Sequence, residues 1–298
     1  MMDEGRPLVS VLMTSYNREK FIGDALESVL NSTYKNLELL VVDDCSSDNT
    51  VAIAKRYALQ DPRISVYINE ENLGDYHNRN RAISYSKGKY IKFVDSDDII
   101  YPQSLEIFVM SMERFSDAAV GIMSNISQDE KPYPYLMLPK EAYRYHFFKN
   151  GLFDTGPTAL IFRADKIKTI GGFSGKRYIG DSEINLRLAA KWPVVKLASS
   201  LVFWRRHEGQ EIVAGSNSSG YLESLLPLIR EELDKPECPL DEDEKKRILI
   251  YYRKISARQI LRVAFLNRQP ALALNLYRRL SLNMTDLLSA ILFINKKP

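Results

Sequence analysis

Cysteine is nearly absent from this chain of 298 residues. Cys45 and Cys238 are its only two. They lie far apart, which excludes a disulfide framework, and they match no zinc-ligand spacing. A reducing cytoplasm is the expected setting. No stretch is apolar for long enough to span a bilayer. The amino terminus, with Asp3 and Glu4 before Arg6-Pro7, does not read as a signal peptide. Internal repeats and low-complexity tracts are also missing. Only three histidines occur, so each one bears weighing. What remains is ordinary for a soluble globular protein, with 45% hydrophobic and 27% charged residues.

The net charge of +3 hides an asymmetry. Residues 245–298 hold 12 Lys or Arg and one acidic residue, Asp286, while the rest of the chain has a balance of −8. An acidic body with a basic tail predicts contact with an anionic surface.

The first part of the chain alternates short apolar runs with helical periodicity. Leu8–Met13, Leu37–Val42, Ile64–Ile68 and Tyr90–Val94 read as buried strands. Between the first two, Phe21, Ile22, Ala25, Leu26, Val29 and Leu30 recur at helical spacing. Helices through about Ala58 and near Asn78–Ser86 follow the next strands. This alternation predicts parallel strands with crossover helices. Further on, Pro102 opens a helix, Ala118–Met123 and Ala159–Phe162 return to strand, Ser182–Lys191 is helical, and Leu201–Trp204 is a last strand. Residues 124–157 read as an irregular connection with a short helix at Glu141–Lys149. Beyond Tyr221 the chain is helical, with an acidic, proline-containing break at Glu231–Glu244.

Every polar candidate in the first part falls just after a strand: Thr14 to Arg18, Asp43 and Asp44, and Asp95-Ser96-Asp97-Asp98. In a parallel sheet these ends share one rim, which is where open α/β sheets bind ligands. Turn residues are common at strand ends, so any one segment says little. Three carboxylates within four positions are different. They repel one another unless a cation sits among them, and the usual candidate is a divalent ion bound to substrate phosphates.

Taken together, these segments resemble the inverting, family-two nucleotide-sugar glycosyltransferases with the GT-A fold. The resemblance is carried by Val9–Arg18, Glu38–Asp44, Asn72-Leu73-Gly74, Arg79-Asn80-Arg81, Gly88–Ile91 and Val94–Asp98, in family order and spacing. Sparser matches follow at Gly171-Gly172-Phe173, Asp181–Arg187 and Arg205-Arg206-His207, so about residues 8–210 are covered. It implies an α/β fold: a Rossmann-like nucleotide-binding half and a mixed sheet flanked by helices, followed by a helical C-terminal extension. The catalytic domain is expected over 1–220, with a nucleotide-binding half at about 8–123 and an acceptor-binding half at about 124–220. The helical region takes 221–298.

The resemblance also assigns roles. Thr14, Tyr16 and Arg18 border the nucleotide, with Tyr16 near the base. Asp44 accepts from the N–H of a uracil-like base, a sound use of an acceptor-only group. Arg79 faces the diphosphate, although a solvated helix arginine is the competing reading, and Asn80 packs or caps. Asp95, beside Ser96, contacts the ribose or the metal shell. Asp97 coordinates Mn²⁺ or Mg²⁺ directly, with His207 as a further ligand. Asp98 is expected to be structural, capping the next helix or orienting Asp97, and Cys45 a small apolar filler. Arg205 or Arg206 would meet phosphate oxygens.

The second half must supply a base. The family usually has Glu-Asp where this chain has Gly180-Asp181. The Asp that serves as base is kept, and its alternative role is a helix N-cap. Glu183 is a reserve that points elsewhere in a helix, and His77 stands where the family tends to have small residues.

In the tail, Leu287–Ile294 followed by Lys296-Lys297 suits an interfacial helix. A hairpin packed on the catalytic domain is the alternative.

The expected activity is metal-dependent transfer of a hexose or N-acetylhexosamine from a nucleotide sugar, UDP-linked, to a glycan or lipid-linked hydroxyl in cell-surface polysaccharide synthesis. The setting is cytoplasmic, peripheral on the inner face of an anionic membrane through 245–298, with no nucleic acid as partner. Two rivals remain. A nucleotidyltransferase commonly shows a glycine-rich loop after the first strand, and Thr14–Arg18 contains no glycine. A catalytically inactive nucleotide- or sugar-binding module would not need Asp181.

Overall fold

The computed structural model describes residues 5–125, 129–207, 220–291 and 297–298. Parts of the expected tail segment, Leu292 to Ile294 and Lys296, lie outside the described residues. The chain divides into two compact units. The first comprises Met1–Ala142, Leu152–Gly175 and Gly180–His207. The second comprises Tyr143–Gly151, Lys176–Ile179 and Glu208–Pro298.

The first unit is built on strands β1 (Val9–Ser15), β2 (Leu37–Asp43), β3 (Ile64–Ile68), β4 (Tyr90–Phe93), β5 (Ile99–Ile100), β6 (Val120–Met123), β7 (Tyr135–Met137), β8 (Leu160–Arg163), β9 (Val194–Leu197) and β10 (Val202–Phe203). Eight of them form one sheet in the order β3-β2-β1-β4-β8-β6-β9-β7. The half from β3 to β4 is parallel, as the alternation predicts. Beyond β4 the sheet becomes mixed. β8 runs antiparallel to both β4 and β6, β9 runs parallel to β6, and β7 closes the edge antiparallel to β9.

The crossovers follow from the sequence pattern. Helix α1 (Ile22–Leu30) buries Ile22, Ala25, Leu26 and Val29, which recur every three or four positions and so share one face. These join Val11, Met13, Leu39 and Val41 in the core, where α4 (Ser104–Glu113) adds Leu105, Phe108 and Met112. Between them come α2 (Thr50–Ala58) and α3 (Asp75–Tyr85). Helix α3 starts three residues earlier than the pattern indicates, behind Gly74 with φ 82. Later come α5 (Pro139–Arg144), which continues as a π-type turn over Tyr145–Asn150, then α6 (Ala164–Thr169) and α7 (Gly180–Lys191).

Three short strands escape the sequence reading. β9 contains Lys196, 1% exposed, whose ammonium pairs with Asp129. A buried charge inside an apolar run disguises it. β5 and β7 have only two and three residues, too short for any periodicity to show.

β5 matters most for the site. It pairs with β10 in a separate two-stranded ribbon, Val202 opposite Ile100 and Phe203 opposite Ile99. That pairing draws residues 205–207 back over the acidic cluster that precedes β5.

The second unit is mainly helical: α8 (Gly220–Asp234), α9 (Glu242–Phe265), α10 (Pro270–Arg279) and α11 (Met284–Ile291). The break before α9 is shorter than the composition suggests, because α8 continues to Asp234. Asp241 starts α9 with a reciprocal cap. Its carboxylate accepts from the Glu244 amide at 3.0 Å, and the Glu244 carboxylate accepts from the Asp241 amide at 3.1 Å. No helix among the described residues is long and apolar enough to cross a membrane.

Candidate active site

The rim of the parallel half collects the predicted residues. Thr14, next to last in β1, is buried, whereas Tyr16 is about half exposed in the loop that follows. Asn17 adopts a left-handed conformation, φ 51, which turns the chain so that Arg18 reaches back across the rim. Its Nε donates to Asp97 Oδ2 at 3.1 Å, and its Nη1 to the Tyr16 and Asn17 carbonyls.

The two carboxylates after β2 divide their work. Asp43 is a scaffold residue: it accepts from Ser15 Oγ at 2.8 Å, and from the amide and hydroxyl of Ser46. Asp44 is 4% exposed and holds the next loop, accepting from Asn69 Nδ2 at 2.7 Å and from the amides of Leu73 and Gly74 at 2.8 and 2.9 Å. A carboxylate offers about four acceptor positions. Three are used here, which makes the Asn72-Leu73-Gly74 segment dependent on Asp44. Cys45 is exposed with φ 65, a turn position, so it does not fill apolar space as expected.

Four elements meet at the acidic cluster. Asp97 Oδ2, besides Arg18, lies 2.9 Å from His207 Nε2, and the imidazole stacks on Phe21 at 4.4 Å between ring centroids. Asp98 does not cap a helix. It is buried and accepts from the Arg205 amide at 3.2 Å, while the Arg205 side chain donates to the Asp97 carbonyl and to Asp24. Arg205 therefore fastens the 205–207 segment over the cluster, a different task from the expected phosphate contact. Ser96 is buried between them.

Burial first, and then repulsion from Asp95 and Asp97, pushes the Asp98 carboxyl up to about 7. Opposite charge placed among these carboxylates would relieve that repulsion. Asp97 and His207 offer an oxygen and a nitrogen separated by about the edge of an octahedron with bonds of roughly 2.0–2.1 Å. Among the described residues, no group of three or more His, Cys, Asp or Glu side chains is arranged to hold an ion by itself. The residues fit a cation whose remaining ligands come from substrate phosphates and water.

Arg79, on α3, links this cluster to Asp75 and Asp181. It is 7% exposed, with Nε 2.9 Å from Asp75 and Nη1 2.8 Å from Asp95, and its guanidinium lies over the Phe93 ring. Burial opposes its charge, but Asp75, Asp95 and Asp181 outweigh burial and hold it firmly protonated. A solvated arginine is thereby ruled out.

Asp181 lies within the first turn of α7, which begins at Gly180, so it is inside the helix rather than at the N-cap. The helix N-terminus sets positive potential around it there. Glu183 is buried and approaches Arg187, which itself ties down the Ile170 and Gly172 carbonyls. Its role is structural. Asn80 exchanges two hydrogen bonds with the Phe173 backbone, both at 2.8 Å.

One residue had no signal in the sequence. Thr158, fully buried before β8, accepts from the Asp95 amide through Oγ1, hydrogen-bonds Asp98, and takes the Lys92 ammonium on its carbonyl. It lies just beyond a stretch without periodicity, and nothing in its neighbours marks it.

The family model described as Glycosyl transferase family 2 matches residues 10–171. The glycosyltransferase GlyG of Streptococcus pneumoniae is 35% identical over 124 residues, 41% of this chain and 41% of that protein. The UDP-Glc:alpha-D-GlcNAc-diphosphoundecaprenol beta-1,3-glucosyltransferase WfgD of Escherichia coli is 46% identical over 105 residues, 35% of this chain and 41% of that protein. The chain thus spans well under two thirds of either relative. Among solved structures, S. aureus TarS 1-349 in complex with UDP-GlcNAc superposes with a TM-score of 0.64 at 20% identity, covering 86% of this chain and 73% of that one. That likeness shows the fold, a GT-A arrangement. With the family model spanning more than half of its length, the chain belongs to glycosyl transferase family 2.

Proposed function

We propose that this protein is a metal-dependent, inverting glycosyltransferase. It moves a hexose or N-acetylhexosamine from a UDP-linked donor to a hydroxyl of a glycan or lipid-linked acceptor. The observation that carries this reading is the convergence of Asp97 and His207, separated by 110 positions in the chain, at 2.9 Å on the rim of the parallel sheet.

Asp97 and His207, with Asp95 of the same cluster, would hold Mn²⁺ or Mg²⁺. When bound, the ion neutralises charge that accumulates on the departing nucleoside diphosphate. The chain's own residues do the rest. Thr14, Tyr16 and Asp44 border the nucleoside, and the acceptor position left on the Asp44 carboxylate suits the N–H of uracil. Arg18, bonded through Nε to Asp97, borders the diphosphate of the donor. Asp95 and Ser96 border the ribose. Arg79 supports the donor site indirectly, by pairing through Nη1 with Asp95.

Asp181 takes the proton from the acceptor hydroxyl as that oxygen attacks the anomeric carbon. Arg79, whose charge Asp181 favours, and the N-terminus of α7 set positive potential beside this carboxylate. Attack from the acceptor side with departure toward Asp97 inverts the anomeric centre.

The name of WfgD, with its undecaprenol-diphosphate sugar acceptor, supports a lipid-linked acceptor and cell-surface polysaccharide synthesis. Work at the inner face of a membrane, reached through the basic residues of 245–298, fits such an acceptor.

Product analysis tests the reaction. Incubation with UDP-sugars, Mn²⁺ and lipid-linked acceptors should release UDP. Release of pyrophosphate instead, as from a nucleotidyltransferase, overturns the reading.

A further inference from the structure

The excess of positive charge beyond residue 245 has no position until the fold supplies one. Helix α9 ends at Phe265, and the turn into α10 is closed by its own backbone. The amides of Leu266 and Asn267 donate to the Arg262 carbonyl at 2.9 and 3.1 Å, and the Gln269 amide donates to the Val263 carbonyl at 3.0 Å. Arg268 is left-handed, φ 54, and Pro270 starts α10. The tip is therefore an ordered turn rather than a loose loop.

On this ordered turn Phe265 is 75% and Leu266 74% exposed, and Leu274, one turn into α10, is half exposed. Arg258, Arg262 and Arg268 are exposed around them. No acidic residue occurs between Lys245 and Thr285. Single exposed apolar residues need no explanation. Two adjacent large ones, fixed at the apex of a helical hairpin with Arg262 and Arg268 exposed within a few positions along the chain, form a recognisable chemical pattern. Apolar side chains suited to the acyl boundary, with arginines at headgroup height, match an anionic bilayer. The same charges disfavour a second copy of the chain, because equivalent tips would bring arginine against arginine.

We propose that the α9–α10 turn is a membrane-docking tip, with Phe265 and Leu266 entering the interface of an anionic bilayer and Arg262 and Arg268 on lipid phosphates. This rests on the lipid-linked acceptor reading for its purpose, since it would hold the enzyme where such an acceptor is presented.

Co-sedimentation of the full chain with phosphatidylglycerol/phosphatidylcholine vesicles tests it. The unaltered protein should bind these vesicles, bind pure phosphatidylcholine far less, and release in high salt. The Phe265→Ser/Leu266→Ser double variant should bind about tenfold less or weaker. Arg262→Gln/Arg268→Gln should lose most of the dependence on anionic lipid. A thermal melt matching the unaltered chain shows that both variants are folded.

Absence of vesicle binding by the unaltered chain overturns the proposal, as does undiminished binding by the Phe265/Leu266 variant. Sedimentation equilibrium that shows a dimer dispersed by that variant, without vesicle binding, assigns the tip to self-association instead. UDP release onto a short-chain acceptor in detergent-free solution tests the transfer reading separately, so failure of one is distinguishable from failure of the other.

Discussion

His207 Nε2 lies 2.9 Å from Asp97 Oδ2, although the two residues are 110 positions apart. The β5–β10 ribbon produces this meeting, and Arg205 secures it by donating its amide to Asp98 and its Nε to the Asp97 carbonyl. Replacing Asp97 with alanine should reduce metal-dependent UDP binding by roughly 10²-fold, consistent with several kcal/mol for the lost ion. His207→Ala should cost less, because a water molecule can take its coordination place. Calorimetric titration of UDP with and without Mn²⁺ is the check, and equal binding in both conditions for the unaltered chain would contradict the metal role.

Asp181→Asn tests the base. Proton transfer by a positioned side chain contributes about 10²–10⁴-fold. Turnover should fall by that range while donor binding, measured separately, stays within about threefold. A variant that turns over normally would remove Asp181 from the mechanism.

Gly180 explains the departure from the Glu-Asp pair. A Cβ at this position would stand 2.5 Å from Tyr76 Cζ, and the Tyr76 ring stacks on Phe173. Glycine to alanine in a helix ordinarily stabilises by about 0.5–1 kcal/mol. Here overpacking of roughly 1–3 kcal/mol should win, so Gly180→Ala is expected to lower the melting temperature. Tyr76→Ala should then rescue Gly180→Ala, and a double-mutant cycle of melts would reveal the coupling. Additive effects would show that the ring yields freely.

Two buried groups on either side of Thr158 titrate near the same pH from opposite directions. Burial pushes the Lys92 ammonium down from 10.5 to about 7, and burial with acidic neighbours pushes Asp98 up from 3.8 to about 7. Between about pH 4 and 7 the folded state holds the Asp98 proton that the unfolded chain has lost, so raising the pH destabilises. Between about 7 and 10.5 the unfolded chain holds the Lys92 proton that the folded state has lost, so raising the pH stabilises. Without added metal, denaturation midpoints should pass through a minimum near pH 7. Asp98→Asn should flatten the acidic limb and Lys92→Met the alkaline one; a variant that leaves its limb intact would refute that assignment.

The parallel half was readable because its strands are continuous apolar runs broken by polar turns, and because α1 repeats its apolar face every three or four residues. The acidic cluster was readable because three carboxylates in four positions are unusual chemistry. Other parts carried no local mark. Lys196 hides β9 by placing a charge inside a buried strand, and Thr158 has a common side chain in a stretch without period. Arg79 looked equally like a surface residue until Asp75 and Asp95 closed around it.

The sequence by itself determined the rim of carboxylates, the carboxylate after Gly180 and the basic tail, since residue identity, spacing and charge are properties of the chain. Tertiary structure alone decided which of them meet. The order β1-β4-β8-β6, the ribbon that brings His207 to Asp97, and the turn that bares Phe265 and Leu266 depend on pairings between distant residues. Such pairings are chosen by burial and hydrogen bonding across the whole fold, and no local window of the sequence contains them.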